Sequence, residues 1–219
     1  MSNVLEICTD ASLKTFPDGR VFTCSGAISI NSTKEKYIIT PDSTNNRGEL
    51  LGIYLGVKIA NEEASKKEYD AINIYSDSQF AVFGLREWMI NWVNHSDIHG
   101  ILYGSNNKPV KNQELFKMIV TYCVLNNVKI NLYLQKGHVT PNSPKSLARA
   151  NEYFKKANGF LLKPEDIFKI CFYNDIVDKN SRDVLDSIDE SHYPRKIINK
   201  EGKVMCRYII PKNFKDYIG

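Results

Sequence analysis

The chain has 219 residues, 42% of them hydrophobic and 25% charged, with a formal net charge of +4. That is enough apolar material for a full core in one large domain plus additions. A run of about 18 apolar residues, the length that spans a bilayer, is nowhere present, and "MSNVLEICTD" lacks the charged and apolar regions of a signal peptide, so no membrane role and a cytoplasmic location are expected, in a host cell if the source is viral.

The five cysteines are scattered with no C-x-x-C pair, so neither a disulfide framework nor a zinc site is indicated, and reduced, mostly buried thiols are expected. The positive charge is local. Residues 139–173 carry +3 and residues 191–219 carry +5, which leaves −4 for the rest.

In chain order, "NVLEICTDAS" alternates apolar and polar residues and reads as a strand ending at Asp10. "RVFTCSGAISI" and "EKYIITP" are two more strands, joined through the turn-prone "NSTK". A helix follows from about Asn46, with Leu50, Leu51, Tyr54, Leu55 and Val57 at helical spacing and Ser43, Thr44 and Asn45 available as caps. "DAINIYSDSQ" is a strand running into Asp77, after which "SQFAVFGLREWMINWV" reads as one or two helical pieces interrupted near Gly84. An Asn- and Gly-rich loop leads to the helix "KNQELFKMIVTYCVLNN", then to a fifth strand, "VKINLYLQ". Residues 139–173 are mostly helical in pattern, with Pro141, Pro144 and Pro164 as breaks, and "CFYNDIVDKNSRDVL" has the apolar spacing of a last helix. Beyond it "RKIINKEGKVMCRYII" reads as a β-hairpin. This order suits an α/β fold, a mixed sheet with helices on both faces.

Ligands of open α/β sheets collect at the carboxyl ends of strands, and Asp10 and Asp77 both follow a strand in this reading. Glu49, near the start of the first helix, can reach the same place, and Asp178 lies one turn after Asn174 on the last helix. Each acid has an ordinary alternative. Asp10 suits a turn, Glu49 the positive end of a helix dipole, Asp77 a helix N-cap, and Asp178 a solvated helix face. Those alternatives do not explain why the four converge. Gathered carboxylates repel and raise one another's pKa unless a cation sits among them. Oxygen-only ligands select a hard ion, Mg²⁺ or Mn²⁺, and two such ions form a clamp for phosphodiester hydrolysis.

The stretches "ICTDAS", "STNNRGELLGI", "YSDSQFAVFGLREWMINW", "NKPVKNQELF", "QKGHVT" and "NDIVD" resemble, in order and approximate spacing, the motifs of type 1 ribonuclease H. The resemblance implies a ribonuclease H-like fold with a five-stranded mixed sheet. It divides the chain into a catalytic domain (1–138 plus 174–190), a mostly helical insertion (139–173) and a basic C-terminal extension (191–219). It implies an endoribonuclease that cuts the RNA strand of RNA–DNA hybrids with two Mg²⁺ ions, Mn²⁺ able to substitute, leaving 5′-phosphate and 3′-hydroxyl ends. Position by position, the metal carboxylates are Asp10, Glu49, Asp77 and Asp178. His138 is similar to the family's mobile histidine, which assists proton transfer or product departure. Asn45, Asn46 and Gln79 resemble residues facing the hybrid, Asn174 one near the cleaved strand, Thr44 and Asn91 a DNA-phosphate pocket, and Trp88 and Trp92 an aromatic channel, with core packing the alternative for one tryptophan.

Three departures stand out. "ASLKTFPDG" places Phe16 where a polar substrate contact is common. "VNHSDIHGILYGSNN", matching a basic protruding handle in bacterial relatives, has no Lys or Arg before Lys108. Residues 139–173 interrupt a usually short loop. The insertion and the tail are therefore expected to replace the handle in gripping phosphates, with a replication protein as a candidate partner and the chain itself a monomer. Two rival readings are a hybrid- or protein-docking module that no longer cuts and a DNA-acting relative on the same fold. The four intact acids oppose the first, and "TNN" with "SDSQ" opposes the second.

Overall fold

A computed structural model of the chain describes residues 3–17, 19–41, 43–188 and 214–219. Its strands are β1 (Val4–Thr15), β2 (Val21–Ser29), β3 (Glu35–Pro41), β4 (Ala71–Ser76) and β5 (Asn131–Leu134). The helices are α1 (Asn45–Ala64), α2 (Gln79–Phe83), α3 (Met89–Asn94), α4 (Gln113–Leu125), α5 (Pro144–Asn158) and α6 (Pro164–Asp186). A five-residue π-helical segment, Gly84–Trp88, joins α2 to α3, at the interruption the sequence marks. It falls where a Cβ on Gly84 would lie 2.5 Å from the Phe116 ring, so only glycine allows α4 to come this close.

The five strands form one mixed sheet in the order β3-β2-β1-β4-β5. β1, β2 and β3 are antiparallel neighbours, and β4 and β5 continue the sheet in parallel with β1. β1 does not end at Asp10. It runs on to Thr15 because β2 keeps pairing with it, Asp10 opposite Gly26 and Thr15 opposite Val21.

Each sheet face has its own core. On one, Leu5, Ile7 and Ile74 of the sheet meet Ile53 and Val57 of α1 and Phe116 and Ile119 of α4. On the other, Cys8, Ile28 and Tyr75 meet Phe154 of α5 and Ile170, Cys171 and Val177 of α6. Phe16 is buried edge-on against Phe22, 5.1 Å between ring centroids. Its apolar character therefore serves packing. Cys8, Cys24, Cys123 and Cys171 are buried free thiols.

Pro144 and Pro164 do not break helices; each occupies the first turn of one, α5 and α6, where its missing N–H has no intrahelical partner to lose. α6 continues unbroken through residues 173 and 174, so Asn174 and Asp178 sit on a helix that begins ten residues before Asn174, earlier than the sequence pattern suggests.

The outer edge of β5 is covered by side chain and by chain end. The Asn158 amide mimics a strand, its Oδ1 accepting from Leu134 N at 3.1 Å and its Nδ2 donating to Leu134 O at 2.8 Å. Further along, Ile130 N donates to Tyr217 O at 2.9 Å and Leu132 N to Gly219 O at 2.8 Å, while Phe214 is buried in the α1-side core. The expected hairpin within 195–210 lies outside the described residues. None of the described helices is long and apolar enough to cross a membrane.

Candidate active site

β4 stops at Ser76 while β1 continues, and this difference in length makes the site. Cys8 is paired with Tyr75, so continuing the register by two residues sets Asp10 beside Asp77, just past the end of β4. Glu49 arrives from above. A glycine stripe, Gly48, Gly52 and Gly56, lets α1 settle onto the sheet, and a Cβ on Gly48 would lie 2.8 Å from Ala11 Cβ. One carboxylate oxygen from each of Asp10, Glu49 and Asp77 lies within 4.8 Å of the other two, the one metal-capable cluster of three among the described residues.

The ordinary alternatives for these acids fail on geometry. Asp10 is in mid-strand and not in a turn. Glu49 is the fifth residue of α1, past the first turn where the helix dipole acts. α2 is capped by Ser78, whose Oγ accepts from Ala81 N at 3.3 Å, leaving Asp77 without a capping task.

Burial and mutual repulsion load the cluster. Burial pushes the Asp10 carboxyl well above the usual carboxylate range, with the Asp77 charge adding to the effect and the Ala11 N–H, donating to Oδ1 at 2.7 Å, opposing it. Glu49 is likewise held well up by burial and then by Asp10 and Asp77. Asp77 is raised by burial, against the pull of His138. Glu49 Oε1 accepts from Asn45 Nδ2 at 3.4 Å, but Oε2 is buried with no hydrogen-bond partner. A buried, unpaired carboxylate oxygen facing two other acids fits a cation and is costly without one. With oxygen donors alone, the fit is to a hard divalent ion.

Asp178 stands at the rim, 13% exposed. Its Oδ1 accepts from Ser12 Oγ at 3.0 Å, and its Oδ2 lies 2.6 Å from Arg182 Nη2 and 4.0 Å from His138 Nδ1. Arg182 is close enough to pull on Asp10 as well. The sequence pattern does not single out Arg182, although one helical turn after Asp178 is where a partner would sit. Asn174 is buried and bridges Gln135, whose amide it accepts from, to Asp10 Oδ2 at 3.3 Å. His138 is 87% exposed on a left-handed backbone with φ 52°. It follows Gly137, where any Cβ would collide with Asp77 Oδ2 at 2.0 Å.

The other expected contacts divide. Thr44 caps α1, accepting from Arg47 N at 3.4 Å, and with Asn46, Arg47, Lys111, Asn112 and Glu114 lines an open groove of about 430 Å³. Asn91 does not line that groove. Arg47, Lys111 and Asn112 are not singled out by the sequence because they meet only through the packing of α1 against α4. Trp92 packs edge-on against Phe116 at 5.1 Å and belongs to the core margin, whereas Trp88 is 39% exposed. Gln79 is exposed, and its Nε2 donates to Tyr153 OH of α5 at 2.9 Å.

Comparison with known proteins bears on the family and the fold. The RNase H family model matches residues 2–153. The ribonuclease H of Pseudomonas fluorescens (strain Pf0-1) is 30% identical over 139 residues, 62% of this chain and 79% of that one. That of Legionella pneumophila (strain Lens) is 33% identical over 98 residues, 45% of this chain and 59% of its own. A foamy viral protease-reverse transcriptase, solved in complex with an RNA/DNA hybrid, shares the fold at TM-score 0.50 and 16% identity, over 71% of this chain and 19% of that one. The family match ends within α5, so Asn174 and Asp178 stand on the geometry of α6 alone. Asp10, Glu49, Asp77 and His138 all fall inside it, and the chain belongs to the RNase H family.

Proposed function

We propose that the chain hydrolyses the RNA strand of RNA–DNA hybrids as an endonuclease, at Asp10, Glu49 and Asp77 with Asp178 as the fourth carboxylate. The reading rests on one observation above all: three acids from β1, α1 and the end of β4 meet within 4.8 Å, where one buried oxygen has no partner. Family membership supports the same chemistry. The cofactor in this reading is two Mg²⁺ ions, with Mn²⁺ as a substitute. When bound they supply charge neutralisation at the phosphate and an activated water for in-line displacement.

The chain's own residues do the rest. Asp10, Glu49 and Asp77 hold the cations and fix where the scissile phosphate sits. Asn174 orients the Asp10 carboxylate, and Asn45 orients that of Glu49. Asp178, steadied by Ser12 and Arg182, completes the set from the rim. His138, exposed beside it, handles the proton of the departing 3′ oxygen, leaving 5′-phosphate and 3′-hydroxyl ends. The hybrid is selected by shape and by its 2′-hydroxyls, with little sequence reading. Thr44 and Asn46 in the α1–α4 groove are the phosphate-binding side of this reading.

The test is cleavage of an end-labelled hybrid in Mg²⁺ by the wild type and by Asp77→Asn, with duplex RNA and duplex DNA as controls. Cutting of the hybrid alone, lost in the variant, is the expected result. Hybrid binding without cutting would replace the hydrolase reading with a docking module.

A further inference from the structure

We infer that α5 is a phosphate track, a rigid basic rail along which one strand of the hybrid runs as it leaves the carboxylate cluster. The inference rests on the hybrid-nuclease reading and adds to it a surface and the residues that form it.

Placement comes first. α5 is fixed to the rim of the site and to the edge of the sheet. Near the cluster, Tyr153 OH accepts from Gln79, two residues beyond Asp77, and the Lys136 ammonium, two residues before His138, lies 5.7 Å from the centre of the Tyr153 ring. At its C-terminal end Asn158 grips the β5 backbone, and Arg86 donates to Asn158 Oδ1 at 3.0 Å and to Ala157 O at 3.0 Å. Phe154 is buried in the core beneath. A helix locked in this way holds its outward side chains in register with the site.

Charge comes second. Lys145, Arg149 and Lys156 stand eight and four residues before Tyr153 and three after it, which puts them on one side of the helix. Eleven steps of about 1.5 Å from Lys145 to Lys156 make this stripe about 16 Å long. All three are exposed, and the ion pairs among the described residues leave α5 out entirely. Glu152, the lone acid of α5, stands among them, three residues after Arg149 and four before Lys156, and no ion pair joins it to either. Lys155, next in sequence to Lys156, is turned about 100° round the helix from it. Unpaired cations in a row, next to a site that handles a polyanion, match what a phosphate backbone requires.

The loop between α3 and α4 offers no such row of cations. That loop has no Lys or Arg before Lys108. Its Asp97 is spent on its own fold, accepting from His99 N at 2.9 Å and Ile101 N at 2.8 Å. The insertion is not uniformly basic either. Lys169 of α6 is paired with Asp166 at 3.9 Å, so the available charge of the insertion is concentrated on α5.

The experiment measures the dissociation constant of the full chain for an RNA–DNA hybrid in EDTA across a series of KCl concentrations. The variants are the triple Lys145→Gln/Arg149→Gln/Lys156→Gln, the off-stripe control Lys155→Gln/Lys163→Gln, and Glu152→Gln. Thermal melting checks that each is folded. The triple variant is expected to bind at least about tenfold more weakly at low salt, with a slope of log affinity against log salt shallower by about 2–3, near 0.9 for each phosphate that is no longer neutralised. The control should match the wild type, and Glu152→Gln should bind slightly tighter. A triple variant with the wild-type slope would overturn the track, and a wild type that neither binds the hybrid nor cuts it in Mg²⁺ would overturn both readings. Cleavage in Mg²⁺, run in parallel, separates them. A wild type that binds but does not cut removes the hydrolase and leaves the track; one that cuts while the triple variant's slope is unchanged removes the track alone.

Discussion

The two faces of the sheet are built by different means. The α1 face is mainly aliphatic at its centre, with Ile, Leu and Val of β1, α1 and β4 closing on Phe116, and keeps ring pairs such as Tyr54–Tyr122 and Phe80–Phe116 for its margin. The α5–α6 face uses aromatics, Tyr75, Tyr133 and Phe154, pinned by polar clasps: Asn158 on Leu134, Gln79 on Tyr153, and Asn151, whose amide bonds both the N–H and the C=O of Leu162 at 3.0 and 2.8 Å. Aliphatic packing holds α1 down and tolerates repacking. Directional clasps hold α5 and α6 at defined positions, which is what Asn174, Asp178 and Tyr153 need. The first face supplies the buried acids, and the second supplies the rim around them.

This contrast can be broken at several points. The largest effect is expected from Glu49→Gln, which keeps shape and removes a charge: hybrid cleavage should fall by at least about a thousandfold, some 4 kcal/mol of barrier, as read by single-turnover kinetics. Phe116→Ala and Phe154→Ala test whether the faces unfold together. Each should cost about 3–5 kcal/mol in urea denaturation with one transition; two transitions in Phe154→Ala would mean that α5 and α6 come away separately. Asp178→Asn, at the rim, should lower cleavage by about 10- to 100-fold, and Arg182→Ala by less, in line with the loss of supporting partners. The smallest effect has the opposite sign. In chelator Asp10→Asn should raise the melting temperature, because it removes one of the buried, mutually repelling charges. Mg²⁺ should then stabilise the wild type and not the variant.

Much of the site can be read from the chain. Asp77 and Glu49 are legible as acids at the end of a β-branched strand and the start of an amphipathic helix, and α6 as apolar spacing around Asp178. The rest depends on partners distant in sequence. β1 continues past Asp10 only because β2 pairs with it. Arg47, Lys111 and Asn112 become a groove only once α4 lies against α1. Pro144 and Pro164 look like breaks because a proline's effect depends on whether it stands in the first turn or later, and the apolar pattern does not locate that turn. The glycines at 48, 52 and 56 are a legible signal of close helix–sheet approach.

The covered edge of β5 has a consequence beyond the site. A bare edge strand is an invitation to pair with any other extended chain, through partner peptides that add a strand or through aggregation. With Leu134 held by Asn158, and Ile130 and Leu132 by residues 217–219, that side of the sheet offers no backbone to recruit. Recruitment by strand addition is left to the opposite edge at β3, which ends in Pro41 and whose Lys36 is tied to Glu62 of α1 at 2.9 Å.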